Sequence, residues 1–228
     1  MRGSKVTFVY CFIALIIGFI ICGVLFGGAI LLAGIIKNSK VKWLVQLTMP
    51  IVSIIPLVIL FTFQDFRYDI INMQGFKDWI NWIILILTAL IPAIIVRFKE
   101  ITVKKGLKSI LMSAFEGMAM EIPQRLFMQT FIMVLLSMWK VPNANLYSYI
   151  INALIWCLGI SAQNFIVKQP FNKDFWLDIV SSFIFSIGIG YVFVRGQNIV
   201  LAMVGHALER IVSNLIKNYK LKKSLAIT

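Results

Sequence analysis

Residues 110–138 read ILMSAFEGMAMEIPQRLFMQTFIMVLLSM, an apolar run that nevertheless holds Glu116, Glu121 and Arg125. A helix needs about 20 residues to cross the hydrocarbon core of a bilayer. A charged side chain at its centre costs about 2.5–3.5 kcal/mol by insertion scales. Two acids and an arginine on one span therefore need partners, a wet cavity, or both. A second run supplies candidates. Ile199–Ile216, IVLAMVGHALERIVSNLI, holds His206, Glu209 and Arg210, and His206 is the only histidine in the chain. An intramembrane ionisable cluster points first to a functional site. The reading that competes with it is a buried ion-pair network that only fixes helix packing.

Outward from these two runs, the composition agrees with a membrane protein. The chain has 228 residues, of which 60% are hydrophobic, and its mean hydropathy is +0.91. Charged residues make up 14%, about half the share in soluble domains. The net charge of +13 sits between apolar runs, where juxtamembrane Lys and Arg belong. No basic soluble domain is left over, so nucleic acid is not an expected partner; the lipid bilayer is. Cys11, Cys22 and Cys157 lie inside apolar runs without CxxC spacing and read as small hydrophobes.

The expected fold is all-α, a polytopic helical bundle of about seven spans: Val6–Leu32, Trp43–Phe63, Trp79–Val96, Ile110–Met138, Tyr147–Val167, Phe175–Val194 and Ile199–Ile216. The first is read as one long, tilted helix retained in the protein, since it exceeds a signal-peptide apolar region. A polar loop with Asp65, Arg67, Asp69, Lys77 and Asp78 follows the second. One membrane domain over 1–228 is expected, with N-terminal helices to 109, a core over 110–216 and a basic tail over 217–228. Lys37, Lys40, Lys42, the five basic residues of Arg97–Lys108, Lys168, Lys173 and the tail lysines share one side. That richer side is expected to be cytoplasmic, and with it the C-terminus.

The polar residues converge in depth. Glu121 lies about 16 Å along span four at 1.5 Å per residue. Gln163 and Asn164 end span five, and His206, Glu209 and Arg210 occupy the second half of span seven, all toward the basic side. Glu121 and Arg125 are i and i+4 in the favourable acid-before-base order, so a pair is expected. Pro123 between them weakens the helix, and Gln124 and Gln129 add polar groups. His206 and Arg210 share a face.

These residues carry a resemblance. Met120-Glu121-Ile122-Pro123-Gln124-Arg125 resembles the E-E-x-x-x-R motif of the CAAX prenyl protease and bacteriocin-processing (CPBP, or Abi) family. Gly196-Gln197-Asn198-Ile199 through His206 resembles that family's last motif, a turn opening a helix with H-x-x-x-N/D. Ile160–Asn164 sits where the family has F-x-x-x-H. The resemblance covers about Ile110–Leu215. It implies a helical intramembrane endopeptidase of a bacterial cell membrane, acting on a membrane-associated peptide or leader. In the family the first glutamate is the base, assisted by the motif-two histidine. The last motif stabilises the oxyanion, and the second glutamate and the arginine organise the site. By that carry-over the catalytic candidates are Glu121, Arg125 and His206. The sequence departs from the pattern at Met120, at Asn164 (or Gln163 in the shifted register) and at Arg210.

Catalysis is therefore either rewired or lost, and both stay open at this point. In a rewired site Glu121 is the candidate base, with His206 and Arg210 or Asn164 as oxyanion donors; Glu116, a turn before Met120, is the alternative carboxylate. The competing functions are an inactive relative that binds a peptide or protein as an immunity factor or scaffold, and a small transporter using the cluster as a relay. A cofactor is not expected. A metal on His206, Glu209 and Glu121 is the weaker reading, since one histidine is available and no HExxH occurs.

Overall fold

The computed structural model of the chain describes residues 2–37, 41–62, 71–101 and 103–225. Asp65, Arg67 and Asp69 of the expected polar loop, Lys40 and residues 226–228 of the expected tail lie outside the described residues. The fold is helical, with no strand among the described residues. Helix α1 runs Arg2–Ile36, one long helix as expected. A 3-10 turn, Lys42–Leu47, leads into α2, Thr48–Thr62. The short α3, Met73–Lys77, precedes α4, Trp79–Ile95. Then come α5, Leu107–Glu121, a π-helical stretch Ile122–Gln129, and α6, Thr130–Met138. The chain closes with α7, Ala144–Ile166, α8, Lys173–Gly196, and α9, Ile199–Leu225.

Six of these helical segments are long and apolar enough to cross a membrane. The remaining expected span, the fourth, Ile110–Met138, is helical throughout but divided into α5, the π stretch and α6. Pro123 falls in the first turn of the π stretch. It has no N–H to donate, and the ladder widens there as π-turns do at functional sites. The basic residues expected to form a tail continue α9 as helix to Leu225.

Large apolar side chains face outward, as a bilayer permits. On α1, Phe8, Val24, Leu31 and Ile35 are exposed, while Ala14, Cys22, Leu25 and Ala29 are buried along one face. That face packs on α7 and α2. Two apolar cores result. One joins α1, α2, α6 and α7 around Met128, Ile132, Leu136 and Ile155. The other joins α4, α8 and α9 around Leu85, Ile189, Phe193 and Leu201. Leu126 of the π stretch packs against both, so the polar residues around it lie at the seam between the cores.

The end opposite the lysines is tied by polar contacts. Asn198 caps α9 by accepting from Val200 N (2.9 Å), and its amide donates to Asn72 O (3.0 Å). Arg195 pairs with Asp78 (2.9 Å) and donates to Asn81 Oδ1 (2.9 Å). These bonds hold the α3–α4 corner against the α8–α9 turn.

Candidate functional site

Glu121 is the last residue of α5, and its side chain is fully buried. Each of its oxygens has a partner. Arg125 Nε donates to Oε2 at 3.2 Å, and His206 Nδ1 donates to Oε1 at 2.5 Å. The expected i, i+4 pair is thus formed, and a third helix joins it. Arg125, also 0% exposed, uses the rest of its guanidinium as well. Nη1 donates to Gln129 Oε1 (3.3 Å) and Nη2 to Ser186 Oγ (2.9 Å) on α8. Gln129 passes the connection on by donating to Gly190 O (3.0 Å). Thr130 Oγ1 donates to Arg125 O (3.2 Å), which meets one carbonyl of the widened ladder. A buried charge pair needs further hydrogen bonds to its remaining polar atoms, and here each nitrogen of the guanidinium and each oxygen of the carboxylate has a partner.

His206 is brought to Glu121 by close approach of α5 and α9. A Cβ on Gly117 would stand 2.8 Å from His206 Cδ2 and 3.0 Å from Arg210 Cγ, so the residue there has to lack one. The Phe185 ring meets the imidazole edge to face at a centroid distance of 4.9 Å. With a carboxylate as acceptor, Nδ1 carries the proton, and in the neutral imidazole the lone pair is then on Nε2. Nε2 has no hydrogen-bond partner among the described residues, and it is not one of their sealed, unpartnered atoms.

Two cavities flank the imidazole. One, of about 300 Å³, is mostly apolar; Cys22 and Phe26 of α1, Met120, Trp156 and Gln163 line it beside His206. The other, of about 110 Å³, is polar and lies toward Lys105, Asp178 and Lys217. Ser182, Phe185, His206 and Arg210 line both. Glu121 lines neither.

The other residues singled out from sequence fall as follows. Gln163 and Gln124 face the larger cavity. Asn164 does not line it; its amide donates to Gln169 O (3.1 Å) in the α7–α8 turn. Arg210 lines both cavities and its Nε lies 3.5 Å from Glu209 Oε2. Glu209 accepts from Ser213 Oγ (2.7 Å) and lines only the smaller cavity. Glu116 lines a separate depression with Gln46, Lys105 and Lys108, away from Glu121. Ser186, Gly117 and Gly190 adjoin this network, and none of them is among the site residues expected from the sequence. Only the close-packing role of glycine at helix contacts hints at the last two.

The model of the family described as type II CAAX prenyl endopeptidase Rce1-like matches residues 102–212. Over that segment the chain is similar to the CAAX prenyl endopeptidase family. The match spans Glu121, Arg125 and His206 and leaves α1 to α4 outside it. No curated protein and no solved structure matches the chain. Of the positions where the sequence departs from the motifs, Met120, Gln163 and Arg210 line the larger cavity and Asn164 does not. A metal does not fit the donors of this segment. Both oxygens of Glu121 and Nδ1 of His206 are committed to each other and to Arg125. Among the described residues no group of three His, Cys, Asp or Glu side chains stands together to hold an ion.

Proposed function

We propose that the protein is an intramembrane endopeptidase in which His206, oriented by Glu121, is the general base. The observation that carries this reading is the Glu121–His206 hydrogen bond beside a cavity that the carboxylate itself does not reach. A base must touch the water it activates. Glu121 is sealed, whereas the lone pair of His206 Nε2 is the basic group at the junction of the two cavities. Glu121 holds the tautomer and stabilises the imidazolium that forms, as an acid behind a catalytic histidine does. Arg125 holds Glu121 in place.

The step is conventional. Water placed between Nε2 and a peptide carbonyl loses a proton to His206 while its oxygen attacks the carbonyl carbon. The tetrahedral oxyanion needs donors already aimed at it, and Gln124, Gln163 and Arg210 supply N–H groups at the cavity wall. His206 then gives its proton to the departing amine. The larger, apolar chamber takes the membrane-associated peptide. The lysine-rich end is assigned to the cytoplasm on charge bias. A cysteine introduced by Lys222→Cys should then resist membrane-impermeant thiol reagents in intact cells, and labelling from outside reverses the orientation.

Met120 favours a second reading, a relative that binds peptides without cutting them. Cleavage of a library of membrane-anchored peptides by the purified protein separates the two. His206→Ala and Glu121→Gln should each remove nearly all turnover, and the double variant should be barely worse than either, because both serve one step. A wild type that binds these peptides and cuts none is the binding protein.

A further inference from the structure

The smaller cavity gathers cations that the network around Glu121 does not use. Lys105, Arg210 and Lys217 line it, with Asp178 and Glu209 as the acids. Lys217 stands in the field of Lys99, Lys105 and Arg210 as well as that of Asp178. Both acids are already engaged. Asp178 is taken by Lys99 Nζ at 2.6 Å, and Glu209 by Ser213 and Arg210. The lysines differ in the same way. Lys220 Nζ donates to Arg97 O (3.0 Å) and Lys99 O (2.6 Å). The ammonium groups of Lys105 and Lys217 have no ion pair or hydrogen bond among the described residues, although both residues are partly buried.

This crowding is held in place. Asn218 accepts from Lys105 N (2.9 Å) and donates to Lys105 O (2.8 Å), fixing the α4–α5 connection against α9. The backbone thus brings Lys105 to Lys217 against their mutual repulsion. Like charges held together in a partly dry, hydroxyl-lined chamber are relieved by an anion. Ser113, Ser181 and Ser182 offer further hydroxyl donors around the same space.

Resting on the reading of the larger cavity as the peptide site, we infer that the smaller cavity is a subsite for a carboxylate of the bound peptide, held by Lys105 and Lys217. The two chambers meet at His206 and Arg210, so the carboxylate lies on the basic-end side of the bond presented to His206. A volume of about 110 Å³ suits a carboxylate-sized group. Its source is either an acidic side chain or a chain terminus.

The test uses the full chain in nanodiscs of zwitterionic lipid. The probes are fluorescent single-span peptides carrying either Asp-Glu or Asn-Gln at the basic-end side of the span, each with a free or amidated C-terminus. Binding is read by anisotropy and cleavage by product release. The acidic probes should bind at least tenfold more tightly than the neutral ones. That advantage should vanish in the double variant Lys105→Gln, Lys217→Gln, survive in Lys217→Arg, and shrink with added salt. An advantage that follows the free terminus rather than the side chain assigns the carboxylate to the chain end. Equal binding of acidic and neutral, free and amidated probes overturns the subsite, and so does an advantage the double variant keeps. If phosphatidylglycerol in the nanodisc binds through Lys105 and Lys217 while the peptides show no preference, the chamber serves a lipid headgroup and the inference fails. Preference without cleavage sinks the peptidase reading and leaves the subsite standing; cleavage without preference does the reverse.

Discussion

Without the guanidinium of Arg125, Glu121 would keep His206 as its one partner in a space closed to water, and Ser186 and Gln129 would each lose a donor. Breaking a buried pair from one side costs about 3–5 kcal/mol, because the remaining charge is uncompensated. Arg125→Ala is therefore expected to lower the thermal midpoint in detergent by many degrees. Arg125→Lys should recover little of it, since one ammonium cannot reproduce the forked contacts to three residues. An unchanged midpoint for the alanine variant would show that the pair carries no weight. Glu116 is the contrasting case. It lines neither cavity beside His206 and has no ion pair among the described residues. Glu116→Gln should leave cleavage and stability within about twofold and about 0.5 kcal/mol of wild type. A severe loss of cleavage would instead make Glu116 the working carboxylate.

At the scale of the helices, the i, i+4 spacing of Glu121 and Arg125 and the shared depth of His206 are legible in the sequence, because helical geometry and membrane thickness leave few alternatives. What the spacing does not encode is which face each helix turns inward. Glu116 is five residues before Glu121, about 140° round the helix, and the bundle spends that face on a different depression. Asn164 sits at the end of α7, where orphan carbonyls and the turn beyond compete for its amide. Ser186 reaches Arg125 from α8 across a long stretch of sequence, and nothing local in the chain announces it. The π-turn is foreshadowed only as a weakness at Pro123. The close crossing of α5 and α9 gives the test at this scale. Gly117→Leu must drive a branched side chain into His206 and Arg210, so it should part the two helices and break the Glu121–His206 bond. Cleavage should be lost while the far-ultraviolet circular dichroism stays helical. Gly117→Ala should fall between, since its Cβ already stands at 2.8 Å from His206 Cδ2. A fully active Gly117→Leu protein would mean that catalysis does not depend on this hydrogen bond.

Across the whole molecule, the segment matching the CAAX protease family does not enclose the larger cavity by itself. Residues 102–212 supply Met120, Trp156, Gln163, His206 and Arg210, but Cys22 and Phe26 come from α1, outside the match. The wall that α1 provides is apolar and thin, because the far side of that helix is exposed at Phe8, Val24 and Leu31. A peptide lying in the bilayer would thus be separated from His206 by one helix. If the larger chamber receives the peptide, filling it from the α1 side should block binding without touching the polar network. Cys22 is 3% exposed, and replacing it with tryptophan overfills a space of about 300 Å³. Overpacking of this kind costs about 1–3 kcal/mol, which the fold should withstand. Cys22→Trp is therefore expected to raise KM for membrane-anchored peptides tenfold or more, with a smaller change in kcat. Val24→Trp, two residues along on a side chain 70% exposed, is the control and should behave as wild type. If Cys22→Trp cleaves with an unaltered KM, the peptide does not pass through this chamber. The reacting bond would then have to reach His206 from the lysine-rich side, by way of the smaller cavity that Ser182, Phe185 and Arg210 share with it.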